Sequence, residues 1–177
     1  MGTSFLLLGV NLGLRPTNSF MLRYIPLLVL LSFLTACGPN YVYESHLEVP
    51  DTGWTYQDSL VAQFTIEDSL TIYNLHLQLE HNEEFPFQNF YVQMHTQFPD
   101  GQRLSEMVSL ELADKGGMWL GECGSGACTL DIPIQQGAYF NQIGEYQLTI
   151  EQYSRRDPLP GILSVHFALE ETEDRRE

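Results

Sequence analysis

From about residue 60 onward, apolar and polar side chains alternate with a period of two, and that spacing admits strands and little else. Leu60, Ala62, Phe64 and Ile66 are separated by Val61, Gln63 and Thr65. Tyr73, Leu75, Leu77 and Leu79 are separated by Asn74, His76 and Gln78, with Glu80 following. Phe90, Val92, Met94, Thr96 and Phe98 oppose Asn89, Tyr91, Gln93, His95 and Gln97. Successive side chains on a strand point to opposite faces, so each segment reads as a strand with one buried face. Pro99-Asp100-Gly101 is a turn, and it separates the third strand from Arg103 to Leu112. Leu130, Ile132 and Ile134 form a short strand in which Pro133 marks a sheet edge. Tyr146, Leu148 and Ile150 alternate with Gln147, Thr149 and Glu151, and Leu163, Val165, Phe167 and Leu169 close the series. No long segment has the apolar spacing of an amphipathic helix, although residues 135–142 read as holding one helical turn. The expected fold is all-β, an antiparallel sandwich of about seven or eight strands over residues 47–170. The charged stretch from Glu170, above all residues 171–177, reads as a disordered tail.

The first 36 residues read differently. Arg23 precedes an apolar run from Ile25 to Leu34, and Leu34-Thr35-Ala36-Cys37 follows. A positive segment, a short apolar segment and small residues before a cysteine make a bacterial lipobox. The run is too short to span a bilayer, which needs about 20 apolar residues, and it contains Pro26. Residues 1–36 are therefore expected to be a signal peptide. Met21 is the expected true start, with residues 1–20 an upstream extension. Cys37 is expected to carry lipid as the first mature residue, anchoring the protein to a membrane that it does not span. Residues 37–46 read as the lipidated cysteine and a short tether. Gly38 is not the aspartate that signals inner-membrane retention, so the outer membrane, facing the periplasm, is the expected site.

Charge narrows the partners. Residues 1–36 hold two arginines and no acid, so the remaining 141 residues carry six cations against 23 acids, a formal net charge of −17. Such a chain repels nucleic acid and anionic headgroups, leaving the acyl chains to hold it at the membrane. The scattered acids read as a solvated face. No Asp-rich loop of EF-hand spacing supports a calcium site, so no cofactor is expected.

Cys123 and Cys128 remain after Cys37, within Gly121-Glu-Cys-Gly-Ser-Gly-Ala-Cys128. Outside the cytoplasm they are expected to form a disulfide closing a Gly-rich loop, in preference to a zinc site or a catalytic thiol. His76 and His95 fall on the polar faces of strands taken as neighbours, and His81 sits at a strand end. Convergence on a metal is the sharper reading, but no pair has a ligand spacing, and surface histidines are expected. Glu83-Glu84 and Glu67-Asp68 supply carboxylates, yet no nucleophile elbow or phosphate loop accompanies them. No enzyme is expected. Trp54, Tyr56, Phe85, Phe87, Tyr139, Phe140 and Tyr153 fall in or beside loops, where they either plug the ends of the sandwich or bind sugar or protein. Arg155-Arg156-Asp157-Pro158-Leu159-Pro160-Gly161 carries two of the six mature cations. It reads as a hairpin loop, with Arg155, Arg156 and Asp157 the candidate partner contacts.

The run Glu151-Gln152-Tyr153-Ser154-Arg155-Arg156-Asp157-Pro158-Leu159-Pro160-Gly161-Ile162, with the lipobox and the all-β domain, resembles the gliding-motility lipoprotein GldH family of Bacteroidetes. So do Tyr73-Asn74-Leu75, and His81-Asn82 followed by Phe85-Pro86-Phe87-Gln88-Asn89. The likeness runs from about Cys37 to Glu170. Departures are Glu80, where a basic residue is frequent, His166, where glycine is common, and the Cys123/Cys128 pair. The resemblance implies a non-catalytic lipoprotein of the cell envelope that serves gliding. Its expected partners are other gliding or type IX secretion envelope proteins. The alternative from the residues alone is a periplasmic glycan-binding module.

Overall fold

The computed structural model describes residues 39–177; the signal peptide, Met21 and the lipidation of Cys37 lie outside the described residues. Nine strands form two antiparallel sheets. They are β1 (Tyr41–Glu48), β2 (Leu60–Ile66), β3 (Thr71–Asn82), β4 (Asn89–Gln97), β5 (Arg103–Glu111), β6 (Glu122–Gly124), β7 (Ala127–Tyr139), β8 (Gly144–Gln152) and β9 (Ile162–Arg175). One sheet has the order β1-β9-β3-β7-β6 and the other β2-β8-β4-β5. The described chain is thus the β-sandwich that the alternation demands.

The alternation translates directly into burial. Along β2 every second residue, Leu60, Ala62, Phe64 and Ile66, is buried. The register pairs Phe64 with Tyr146 across β2–β8 and Leu77 with Phe167 across β3–β9, and the Phe64 and Phe167 rings, one from each sheet, meet with centroids 5.7 Å apart, so the inner faces pack together. Phe64 is the hub: its ring centroid lies 5.7 Å from those of Tyr43, Phe140, Tyr146 and Phe167. Burial raises the Tyr146 phenol above its ordinary pKa, and its hydroxyl donates to the Gln142 carbonyl at 2.8 Å.

Four segments depart from the sequence expectation. Residues 41–46, read as tether, belong to β1, whose half-buried Tyr43 and Leu47 pack on the core. The acids on its other face disguised it. The charged end is ordered in the fold: β9 runs to Arg175, which pairs with Asp68 and lies opposite Thr71. Arg176 covers the Tyr139 ring at 4.4 Å, and its amide donates to the Leu70 carbonyl at 2.8 Å. Residues 135–139 are strand, not a helical turn. The β3–β7 register shifts between Tyr73 and Leu75, and Gly137 there has a φ of +66°. A bulge breaks the period-two pattern, which is why the alternation fades there. Finally, β8 and β9 lie in different sheets, so residues 153–161 are a crossover between layers and not a hairpin.

Pro133 does sit at an edge. β6 pairs with β7 through Ala127–Thr129, and β7 beyond that point has β3 alone as a partner. The Gly-rich cysteine segment is the β6–β7 hairpin itself. Ser125 and Gly126 have φ of 58° and 90°, the pair of positive values that a two-residue primed turn requires. Cys123 and Cys128 face each other across it, Cα atoms 4.0 Å apart, and are disulfide-bonded. The closed loop is short, so the bond is worth about 2 kcal/mol. Changing both cysteines to serine is expected to lower the thermal midpoint while leaving the far-ultraviolet β spectrum unchanged. Loss of the folded spectrum at room temperature would show that the bond holds the fold.

Candidate functional site

The crossover 153–161 is held from below by backbone pairing and from the side by one carboxylate. Trp54 and Leu159 exchange N–H···O bonds of 2.9 and 2.8 Å. The Asp157 carboxylate accepts from the Tyr56 amide at 3.1 Å, and the Tyr56 hydroxyl donates to the Ser154 carbonyl. The Gln152 side chain accepts from the Ser154 amide at 2.9 Å and donates to the Arg156 carbonyl at 3.3 Å. Glycines make the tight passages. Gly53 has a φ of +102°, and a Cβ there would lie 3.0 Å from the Leu159 oxygen. Gly161 has a φ of +84°, and a Cβ there would lie 3.2 Å from the Phe85 ring. The Tyr56 support is itself fixed, because the Asp58 carboxylate accepts from Thr55 Oγ1 at 2.7 Å and from the Thr55 amide at 3.0 Å. Those two bonds, the hydroxyl's first, hold the Asp58 pKa below its ordinary value.

This frame presents Tyr153, Arg155 and Arg156 to solvent. Neither arginine forms an ion pair among the described residues, whereas Arg175 is bound to Asp68. Beside them lies a groove of about 580 Å³, lined by Phe87, Tyr91, Met107 and Tyr153 with the two arginines at its rim. Phe90 forms part of its floor and is 2% exposed. The apolar walls come from the β3–β4 connection, from the outer faces of β4 and β5, and from the crossover. Met107 is 59% exposed and Tyr153 58%, and with Tyr91 and Phe87 beside them they make a local apolar cluster on a largely polar sheet face. A smaller hollow on the far side of Tyr153 is lined by Tyr56, Glu151 and Arg155, so Tyr153 stands as a ridge between two depressions.

Of the three crossover residues expected to meet a partner, Arg155 and Arg156 are free to do so, while Asp157 is engaged in positioning the loop. The seven loop aromatics divide. Trp54, Phe85 and Phe140 are buried and close the ends of the sandwich, while Tyr56, Phe87, Tyr139 and Tyr153 are exposed. Tyr91 and Met107 complete the groove and had no separate mark in the sequence. Their one signal was an apolar residue on the face where alternation called for a polar one.

The histidines do not converge. His76 is on β3 in one sheet and His95 on β4 in the other. Each meets a carboxylate locally, His76 with Glu170 at 2.9 Å and His95 with Glu151 at 3.4 Å. The Asn74 side chain and then His76 hold Glu170 below its ordinary pKa. His81 is fully buried, edge-on to Trp119 with centroids 4.6 Å apart, and its Nδ1 meets the Asn82 carbonyl at 2.8 Å. Among the described residues no group of three or more His, Cys, Asp or Glu is placed to hold a metal ion.

A profile of the GldH lipoprotein family matches residues 41–169. Two curated proteins align over most of their length. The "Gliding motility lipoprotein GldH homolog" of Christiangramia forsetii is 24% identical over 79% of this chain and 90% of its own. The "Gliding motility lipoprotein GldH" of Flavobacterium johnsoniae is 24% identical over 82% of this chain and 94% of its own. Among solved structures, a family GH115 4-O-methyl-α-glucuronidase aligns with 78% of this chain and 19% of its own, at 12% identity and a TM-score of 0.36. That likeness is too slight to bear on fold or function.

Proposed function

This chain belongs to the GldH lipoprotein family, and we propose that it is a non-catalytic component of the gliding apparatus, held at the outer membrane by lipid on Cys37 and acting through protein contacts. The names of both curated relatives support the gliding role. The observation that carries the contact mechanism is the preformed groove beside two unpaired arginines. Two carboxylates of the neighbouring segments are engaged in local bonds. Glu151 accepts from Ser59 at 3.0 Å and faces His95, and Asp157 holds the Tyr56 amide.

The groove lies at the end of the sandwich opposite the start of β1. Tyr41 lies at the end of the sandwich where β9 finishes, and the crossover lies at the other end, where β8 finishes. The nine residues of β8 separate the two ends by about 30 Å at the rise of a strand.

Deleting the gene in a gliding host is expected to abolish colony spreading, and the wild-type chain to restore it. A Cys37→Ala chain is expected to restore it poorly, because tethering supplies a high effective concentration near envelope partners. The double variant Arg155→Ala, Arg156→Ala should restore it poorly as well while melting within about 1 kcal/mol of wild type, since exposed charges contribute little to stability. Normal spreading of the deletion strain would overturn the gliding role. Full rescue by the double arginine variant would move the contact surface elsewhere.

A further inference from the structure

We infer that the occupant of the groove is an acidic segment of a partner protein, inserting one apolar side chain between Met107 and Tyr153 and placing its carboxylates on Arg155 and Arg156. This rests on the reading of the groove as the contact surface and adds the chemistry of what fills it.

Charge gives the first reason. The mature chain carries −17, with six cations, and Arg155 and Arg156 are adjacent in sequence and unpaired among the described residues. A basic partner would be drawn to almost any other part of the surface and repelled from this one. Arg103, Lys115 and Arg176 also form no ion pair among the described residues, but Arg155 and Arg156 are the cations that line this groove, so an acidic partner finds two positive charges beside an apolar surface here. Local charge favours an acidic partner at this groove, and the apolar lining beside the arginines fixes the location. Guanidinium groups also suit carboxylates geometrically, as planar forks that bind both oxygens.

The walls give the second reason. The lining is mostly apolar, from Phe87, Tyr91, Met107 and Tyr153, with Asn89, Ser154 and the two arginines as its polar groups. A glycan needs many directed polar partners, whereas an aliphatic or aromatic side chain needs area and a fit. Methionine adapts its shape to what it meets, and an exposed tyrosine supplies rigid contact area at low entropic cost. The frame beneath is preformed, since Asp157, Gln152 and the Trp54–Leu159 pair hold the loop, so little ordering opposes binding.

The test uses the acylated mature chain in nanodiscs of zwitterionic lipid, with empty discs as the blank. The probes are labelled short peptides read by fluorescence anisotropy. One alternates Asp and Glu with Leu and Phe, a second replaces the acids by Lys, and a third keeps the acids and replaces Leu and Phe by Ser. A uronic-acid oligosaccharide is the fourth probe. The acidic apolar peptide is expected to bind at least about tenfold more tightly than the other three. Arg155→Ala with Arg156→Ala should weaken it by about tenfold at low salt, as the loss of two exposed charge contacts, and added salt should do the same to wild type. Tyr153→Ala should weaken it by about tenfold or more through loss of an anchor. Val61→Ala, on the outer face of β2, should change nothing. Preference for the lysine peptide, equal binding of the serine peptide, tighter binding of the oligosaccharide, or no binding of any probe would each overturn the proposal. The gliding role stands or falls separately, on colony spreading.

Discussion

Replacing Trp54 with alanine is expected to cost about 3–5 kcal/mol, the range for removing a large buried aromatic. The indole is fully buried and packs edge-on against Phe90, ring centroids 6.3 Å apart. Its Nε1–H donates to the Asp58 carbonyl at 2.6 Å. Its backbone is the strap that pairs with Leu159 and so fixes the crossover. The substitution therefore does two things at once. It opens a cavity at one end of the core, and it loosens the loop that presents Arg155 and Arg156. Domains of this size are stable by about 5–15 kcal/mol, so the variant should remain folded at low temperature and melt much earlier. Denaturant unfolding measures the first effect, and binding of the acidic apolar peptide below the transition measures the second. A cost under about 1 kcal/mol would mean that the site collapses around the missing ring, contrary to this account.

Phe64→Ala should be as severe, for a different reason. Phe64 is 5% exposed and touches four other rings, one of them stacked at an interplanar angle of 9°. Each aromatic pair adds about 0.5–1.5 kcal/mol beyond area burial, and the total expected cost is again about 3–5 kcal/mol. The cavity lies between β2, β8 and β9, far from the crossover, so peptide affinity measured below the transition should be nearly unchanged. Val61 is three residues earlier on the same strand, points outward and is 41% exposed. Val61→Ala should stay within about 0.5 kcal/mol of wild type. Equal costs for Phe64→Ala and Val61→Ala would contradict the inward register of β2.

The strands most legible in the sequence were those buried on one face along their length. β2 alternates without a fault, and β8 nearly so. The strands misread were those at the margins. β1 is an edge strand with Glu44, His46 and Glu48 outward, so its half-buried Tyr43 and Leu47 were too few to stand out. The end of β9 is polar because its neighbours there leave both faces partly wet, yet Thr71 and Asp68 still pair with it. The site was half legible. Arg155 and Arg156 stood out because cations are scarce in this chain, and Tyr153 because it follows a strand. Tyr91 and Met107 did not, since an apolar residue on an outward face acquires meaning when another segment is laid beside it.

Local order determined what the sequence by itself could tell: that the domain is made of strands, and which residues of each face inward. Those properties depend on side-chain period and composition, and both are written along the chain. Tertiary structure alone decided which strands share a sheet, that residues 153–161 cross between layers, that Asp157 supports the loop its neighbours expose, and that the two histidines taken for neighbours stand in opposite sheets. Pairing between strands is a long-range choice, made by the fit of whole faces, and period-two patterns are alike from strand to strand. Nothing in a single strand's alternation names its partner.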